Sequence, residues 1–267
     1  EIMDSLGFKE TPGYADLMMY TGFVYYNRGD LENALEYYMK SKEIMDSLGF
    51  KETPGYADLI MYTGVVYYNR GDLESALDYY MKSKTIRDSL GLQKTSGYAD
   101  LMLNIGVVSY KKGDLVSALE YYMNSKEIMD SLGLRTTSGY GILMMNIGII
   151  YGKKGDPESS LKHYIKSKNV MDRLELQKTP GYGILMMNIG IIYGKKGNLD
   201  SAVEYCMKSK AIMDSLELQK TPGYADLMMN IGIIYGKKGD FENAFEHCTK
   251  SKAIMDSLNL QKTSGYA

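Results

Sequence analysis

The sequence predicts an all-α protein, an α-solenoid superhelix of stacked antiparallel helical hairpins. Three observations predict it. The dipeptide Gly-Tyr returns at Gly13, Gly55, Gly97, Gly139, Gly181, Gly223 and Gly265, always 42 residues apart. Within each period the apolar residues recur at spacings of three and four, which is the period of a helical face and not of a strand. A Gly followed by a capping residue breaks each period in the middle, so every period holds two helices and a tight turn. Six full repeats cover residues 13–54, 55–96, 97–138, 139–180, 181–222 and 223–264. Residues 1–12 match the last twelve of the first repeat and read as the end of a preceding one, while 265–267 open another. Repeats one and two share 32 of 42 residues and repeats four and five share 30, which points to duplication. With no linker or shift of composition, residues 1–267 are expected to form a single solenoid.

Each element follows from its residues. Leu17, Met18, Thr21, Val24 and Tyr25 mark one face of helix A, over about residues 13–28. Asn27-Arg28-Gly29-Asp30 then supplies a glycine for a left-handed C-cap and an aspartate that can cap the next helix. Helix B starts near Leu31, and Ala34, Tyr38, Ser41, Met45 and Leu48 carry its face to about Gly49. Pro157 stands at the first helical position in repeat four, where a missing N–H costs nothing. Glu175, Glu217 and Asn259 replace Gly49 in the later repeats. Residues 50–54 are a connector, with Thr53 placed to cap the following helix A. Both helices come to roughly 25 Å at 1.5 Å per residue.

The segment from Gly22 to Ile44, GFVYYNRGDLENALEYYMKSKEI, resembles a tetratricopeptide repeat (TPR). The match lies in the small Gly22, the aromatic Tyr25, the Gly29-Asp30 turn, Ala34 and the aromatic Tyr38, and it recurs in all six repeats. The 42-residue period is similar to the longer TPR-like class that includes kinesin light chain repeats. There are departures from the pattern. Met18 heads helix A, Ser41 stands for a late Ala, and Asp46 stands for a helix-ending Pro, so helix B should run about a turn longer. Ser109 replaces the helix A aromatic in repeat three, Ser160 replaces the Ala in repeat four, and Cys206 and Cys248 replace the helix B Tyr in repeats five and six.

The physics of these positions yields expectations of its own. Gly22 and Ala34 lack bulk, so their helices should cross closely, with the Tyr25 ring filling the gap beside them. Ser41 should bond a carbonyl one turn back in its own helix. Asp46 opposes the dipole at the end of helix B, so a group in the next repeat should satisfy it, either backbone amides or the loop at Thr53.

Composition excludes several classes of function. With 31 Lys+Arg against 33 Asp+Glu the formal net charge is -2, which gives no basic field for nucleic acid. Apolar runs stop well short of the ~20 residues of a membrane span. Two cysteines, no Asn-x-Ser/Thr acceptor and no apolar leader point to an intracellular, cytoplasmic protein. Catalysis needs unlike groups converging on one point, whereas an array spaces like groups evenly. His163 and His247 lack a second histidine at ligand spacing, and His247 and Cys248 point about 100° apart on their helix. Cys206 and Cys248 sit one repeat apart, beyond the ~7 Å Cα limit of a disulfide. They read as small core residues in place of Tyr. The stretch from Gly148 to Lys154 has three residues between its glycines and no Ser/Thr after the lysine, so it is not a phosphate loop. No catalytic residue, metal or cofactor is expected.

What remains is binding. The TPR resemblance implies an inner surface lined by helix A, at Asp16, Met19, Tyr20, Phe23, Tyr26 and Asn27 and their equivalents. It also implies that the residue two before the helix A glycine reads the backbone of an extended peptide. That residue is Tyr20 and Tyr62, then Asn104, Asn146, Asn188 and Asn230. A carboxamide carries a donor and an acceptor and so matches a peptide group; the plainer reading is an interhelical contact. Tyr26, Tyr68 and Tyr110 give way to Gly152, Gly194 and Gly236, and Asn27 and Asn69 give way to Lys111, Lys153, Lys195 and Lys237. An aromatic N-terminal half and an open, basic C-terminal half are expected, although lysines at a helix C-terminus also favour the dipole by ~0.3–1 kcal/mol. No repeat has the cations of a carboxylate clamp at the Asp16 and Met19 positions. The leading expectation is a non-catalytic scaffold that binds a protein or peptide, in part an acidic one, and neither nucleic acid nor membrane. The rivals are a self-stacking array without a ligand and a regulatory module of a larger enzyme. Net charges of -6 over residues 1–138 and +4 over 139–267, with apolar Ile2, Met3, Ile254 and Leu258 near the ends, add an expectation of head-to-tail self-association.

Overall fold

The computed structural model describes residues 11–259. The expectations for residues 1–10, Ile2 and Met3 among them, and for 265–267 lie outside that range. The described residues form twelve helices. They fall into two compact units divided between Gly133 and Leu134. In the first unit these are α1 (Pro12–Asn27), α2 (Leu31–Ser47), α3 (Pro54–Asn69), α4 (Leu73–Ser89), α5 (Ser96–Lys111) and α6 (Leu115–Ser131). In the second they are α7 (Ser138–Lys153), α8 (Pro157–Arg173), α9 (Pro180–Lys195), α10 (Leu199–Ser215), α11 (Pro222–Lys238) and α12 (Phe241–Ser257). Helix A and helix B of each repeat pack as a hairpin, and inside each unit successive hairpins stack, with helix B against the next helix A.

The boundaries follow from the capping chemistry. The hydroxyl of Thr53 accepts from the Tyr56 amide at 3.2 Å and opens α3, and Asp30 accepts from the Asn33 amide at 3.1 Å and opens α2. Gly29 and Gly49 take φ of 78° and 77°, the left-handed geometry that glycine adopts without strain. Glu175, Glu217 and Asn259 adopt φ of 56° at the Gly49 place, so the second unit carries three non-glycine residues in a region that disfavours a Cβ. Pro157 is the first residue of α8.

Close packing at the small residues holds each hairpin together. A Cβ built on Gly22 would lie 2.6 Å from Tyr38 Cδ1 and 3.1 Å from the Ala34 carbonyl oxygen, and Gly64 and Gly106 meet Tyr80 and Tyr122 in the same way. The expected ring is thus corrected: Tyr38, and not Tyr25, lies on the bare glycine. Helix B rises past that glycine with its Tyr ring facing inward, while Tyr25 stacks on Tyr37 with centroids 5.3 Å apart. Tyr38, Tyr80 and Tyr122 are fully buried, and each such side chain contributes on the order of 2–3 kcal/mol. Repeats five and six keep the close approach with sulfur, Cys206 Sγ falling 2.5 Å from a Cβ on Gly190. Cys206 is buried as expected, but Cys248 is exposed, because no later hairpin covers α12 among the described residues.

Two polar positions are also corrected. Ser41 donates to the carbonyl of Ala15 in helix A at 2.8 Å, 26 residues back and not one turn, and Ser83, Ser167 and Ser251 repeat the bond to Ala57, Gly141 and Ala225. The facing helix is near enough for its carbonyl to compete with the serine's own helix. Ser125 and Ser209 are buried there without a partner. Asp46 does find its partner in the next repeat, but that partner is a phenol: Tyr56 donates to Asp46 Oδ1 at 2.7 Å while Lys42 donates to Oδ2 at 2.7 Å. The same bond joins Tyr98 to Asp88, Tyr182 to Asp172 and Tyr224 to Asp214. Burial pushes the Asp46 carboxyl up, but the Lys42 and Tyr56 hydrogen bonds outweigh it and hold the group below the usual range. Burial first, then the Asp46 bond, pushes Tyr56 up to about 12.

Position in the stack sets exposure. Leu17 in α1 is 42% exposed, whereas its counterparts Leu59 and Leu101 are fully buried, because a preceding hairpin of the same unit packs against α3 and α5 and none among the described residues precedes α1.

Candidate functional site

The stacking of α1, α3 and α5 leaves a cleft of about 300 Å³ on the face made by helix A. Phe23, Tyr26, Met61, Tyr62, Val65, Asp100, Leu103 and Asn104 line it, and Tyr38 forms its floor. Eight of these nine occupy positions expected to face inward. They come from three successive repeats, at the Asp16, Met19, Tyr20, Phe23 and Tyr26 places. The rings of Tyr38 and Tyr62 lie 6.3 Å apart at 26°, and Tyr20 and Phe23 at the rim lie 6.1 Å apart. Tyr20 is two-thirds exposed. Tyr68 and Tyr110 are half-buried and do not line the cleft.

One charge lines the cleft, the Asp100 carboxylate. Desolvation by the surrounding helices raises its pKa above the usual carboxylate range, and the Arg87 guanidinium opposes this. Much of the residue's surface is nonetheless open to solvent at the mouth of the cleft. The two observations fit a group fenced by protein on several sides and open on one; the open side governs access.

Arg87 is a charged neighbour of Asp100 that the repeat pattern did not single out. It stands where the other repeats carry Met45, Met129, Met171, Met213 and Met255. Its side chain is buried, donates to Ser83 Oγ at 3.3 Å and forms a short ion pair with Asp58. A lone departure from a fivefold Met was the available signal.

The asparagine series is half-buried at Asn104, Asn146, Asn188 and Asn230. Asn230 donates to the Asp226 carbonyl at 2.8 Å, one turn back, while the carboxamides of Asn104, Asn146 and Asn188 have no partner among the described residues. Three of the four therefore have donor and acceptor uncommitted among the described residues.

Lys111, Lys153, Lys195 and Lys237 lie exposed in the last turns of α5, α7, α9 and α11. Lys195 donates to the Gly152 carbonyl of the preceding repeat at 3.2 Å, as Asn69 donates to the Tyr26 hydroxyl at 3.2 Å. The open space expected beside Gly152 and Gly194 is corrected, whereas beside Gly236 only Ala244 Cβ stands near, at 3.8 Å. A Cβ on Gly152 would meet Ile192 Cδ1 at 3.2 Å, and one on Gly194 would meet Ile234 Cγ1 at 3.5 Å. An isoleucine of the next repeat has moved into the volume that a Tyr ring would have taken. Lys112, Lys196 and Lys238, one residue further on, bridge to the preceding repeat at Glu74, Glu158 and Asp200, at 2.7, 2.5 and 2.5 Å.

The histidines have local roles. His163 Nδ1 meets the Ser159 carbonyl at 2.7 Å and its ring stacks on Tyr151, while His247 Nδ1 meets the Asn243 carbonyl at 2.8 Å and its ring lies tilted against Tyr235. Burial pushes the Cys206 thiol up to about 12. Among the described residues no three His, Cys, Asp or Glu side chains group as metal ligands, and no helix is long and apolar enough to cross a membrane.

Stacked helical hairpins with a lined helix A face define an α-solenoid. The tetratricopeptide repeat family model matches residues 14–89 and 181–257, more than half of the chain, and the chain belongs to that family. Solved structures share the fold. BtubC (BKLC) from P. vanneervenii is 20% identical with a TM-score of 0.67, and the match covers 86% of this chain and 92% of that one. A chain of the APC/C hetero-tetramer Cut9-Hcn1 is 16% identical with a TM-score of 0.71, over 94% of this chain and 41% of that one. A putative kinesin light chain from Podosopora anserina with nearly identical TPR-like repeats is 13% identical with a TM-score of 0.61, over 79% and 99%. No curated protein matches the chain.

Proposed function

We propose that the protein is a non-catalytic scaffold that binds extended peptide segments of a partner on the helix A face. The observation that carries this reading is the set of unpartnered carboxamides at Asn104, Asn146 and Asn188. They are half-buried and evenly spaced in sequence, and each offers one donor and one acceptor, the complement of a peptide group. Family membership supports the reading, and among the neighbours is a chain of a hetero-tetramer, Cut9-Hcn1 of the APC/C. In the second unit the exposed row Lys153, Lys195 and Lys237 favours acidic segments, and steering of this kind weakens with salt. Two unpaired thiols suit a reducing cytoplasmic setting.

The test uses the full chain against an array of synthetic dodecapeptides. Bound peptides should lose affinity when alternate backbone amides are N-methylated, and the Asn146→Ala/Asn188→Ala variant should lose them while keeping its helical spectrum. Peptides indifferent to both changes would refute the reading.

Self-association is a second reading, favoured by α12. Phe241 and Phe245 are 74% and 76% exposed, where the corresponding Leu31 and Leu35 are half-buried against the core of the first unit. If they dock on another copy, sedimentation will show mass rising with concentration, and Phe241→Ser/Phe245→Ser will abolish the rise.

A further inference from the structure

We infer that the cleft among α1, α3 and α5 is a receptor for a cationic side chain, an arginine or lysine carried by a bound peptide. The inference rests on the peptide-binding reading and deepens it by assigning a ligand chemistry to the first unit. Four aromatic side chains, Phe23, Tyr26, Tyr38 and Tyr62, surround the space, and a cation over such rings gains ~0.5–1 kcal/mol when exposed and ~2 or more when desolvated. The chain already makes this contact on helix B, with Lys40 4.8 Å from the Tyr37 centroid and Lys82 5.2 Å from that of Tyr79.

No lysine or arginine lines the cleft, and its single charge is the Asp100 carboxylate, which has no ion pair or hydrogen bond. The nearby Arg87 does not fill the role, because its guanidinium is committed to Asp58 and its side chain is 4% exposed. Asp58 and Asp100 against Arg87 leave one net negative charge beside the rings. The Asn104 carboxamide lies in the same wall with its oxygen free to accept. A volume of about 300 Å³ sits at the lower end of small-ligand pockets, in keeping with one side chain and not a folded surface. An acidic side chain would meet Asp100, and an aliphatic one would leave that carboxylate buried without a partner.

The experiment uses the full chain and three capped nonapeptides of Ser and Gly that differ only at the centre, which is arginine, citrulline or glutamate. Binding is followed by the chemical shifts of isotopically labelled tyrosine. The arginine peptide should bind about tenfold more tightly than the citrulline peptide, and more weakly as salt rises, with shifts at Tyr26 and Tyr62. Asp100→Asn should remove that preference, Tyr62→Leu should weaken binding about threefold to fivefold, and Tyr62→Phe should retain it. The chemical shifts of the α1–α4 tyrosines in each free variant check that the hairpins are intact. Equal binding of arginine and citrulline, binding of the glutamate peptide, or an Asp100→Asn variant with the preference unchanged would overturn the assignment. If none of the three binds while other peptides still bind through Asn146 and Asn188, the cleft assignment fails and the scaffold reading stands. If those peptides are lost too, both fail.

Discussion

Gly64 sits in the middle of α3 with the Tyr80 ring against it, and Gly64→Ala is the most direct test of the packing argument. The new methyl would fall 2.7 Å from both Tyr80 Cδ1 and Cε1 and 3.2 Å from the Ala76 carbonyl oxygen. Carbon atoms in contact prefer about 3.5–4.0 Å, so the ring must retreat by roughly 1 Å, and it is buried at 2% exposure with nowhere to go. Overpacking of this kind costs ~1–3 kcal/mol, partly offset by the ~1 kcal/mol that Ala gains over Gly inside a helix. With the ring unable to retreat, the overpacking falls in the upper part of that range, about 2–3 kcal/mol, and the expected net loss is about 1–2 kcal/mol. Gly55→Ala is the control. Its methyl would meet only Met45 Cε at 3.8 Å, an ordinary contact, so it should leave stability unchanged or raise it by a few tenths of a kcal/mol. Urea unfolding of the full chain followed by circular dichroism, with midpoint and slope fitted together, separates the two. A Gly64→Ala protein as stable as its parent, or a Gly55→Ala protein equally weakened, would refute the close approach as the reason for glycine.

Tyr98→Phe removes the hydroxyl that donates to Asp88 at 2.7 Å and should cost about 1 kcal/mol in the same melts, whereas Tyr20→Phe, at an exposed hydroxyl, should cost less. Asp46, Asp88, Asp172 and Asp214 are each raised by burial and lowered further by their Lys and Tyr partners, so their folded pKa values lie below the unfolded ones. The stability they add is complete above about pH 4 and is lost as pH falls through the depressed values; urea midpoints should therefore stay flat from pH 7 to 5 and drop below 4, less steeply in Asp88→Asn. Arg87→Met restores the residue of the other repeats and should be neutral or stabilising, while Asp58→Ala strands the buried guanidinium and should cost about 2 kcal/mol, discounted because Asp58 is partly exposed. A calorimetric scan in which Arg87→Met melts well below Asp58→Ala would reverse that account.

Much of the fold was legible because repetition marks the positions that matter. The period, the Thr and Asp caps, the left-handed glycines and the place of Asp46 opposite the next repeat all follow from spacing and local backbone chemistry. The corrections arise where geometry between helices decides. A serine in a helix reads as bonding its own previous turn, and only the distance to Ala15 shows that a foreign carbonyl is nearer. Tyr25 and Tyr38 are both aromatic and helical in spacing, so which one meets Gly22 depends on the crossing of α1 and α2. The Tyr56 partner of Asp46 had a signal, the constant ten-residue offset from that Asp to the Tyr of Gly-Tyr, which becomes meaningful once the connector is known to fold back. At the site, eight of the nine residues that line the cleft stand at positions the resemblance named. The volume beside Gly152 was not, because a side chain of another repeat occupies it.

The Asp–Tyr hydrogen bond is the same bond at four junctions. It holds neighbours together, but it carries no address. During folding, the Tyr end of one hairpin meets an equally good Asp on any hairpin that passes, including one from another molecule. Near-identical repeats thus trade pairing accuracy for interchangeable joints, and misjoined intermediates are a characteristic hazard of such chains. The Arg87–Asp58 pair exists in one repeat alone, so it can label a hairpin but not a junction. Order along the stack is left to the connectors: a chain that is covalently continuous brings the correct neighbour first, and synthesis from one end brings it before any other is available.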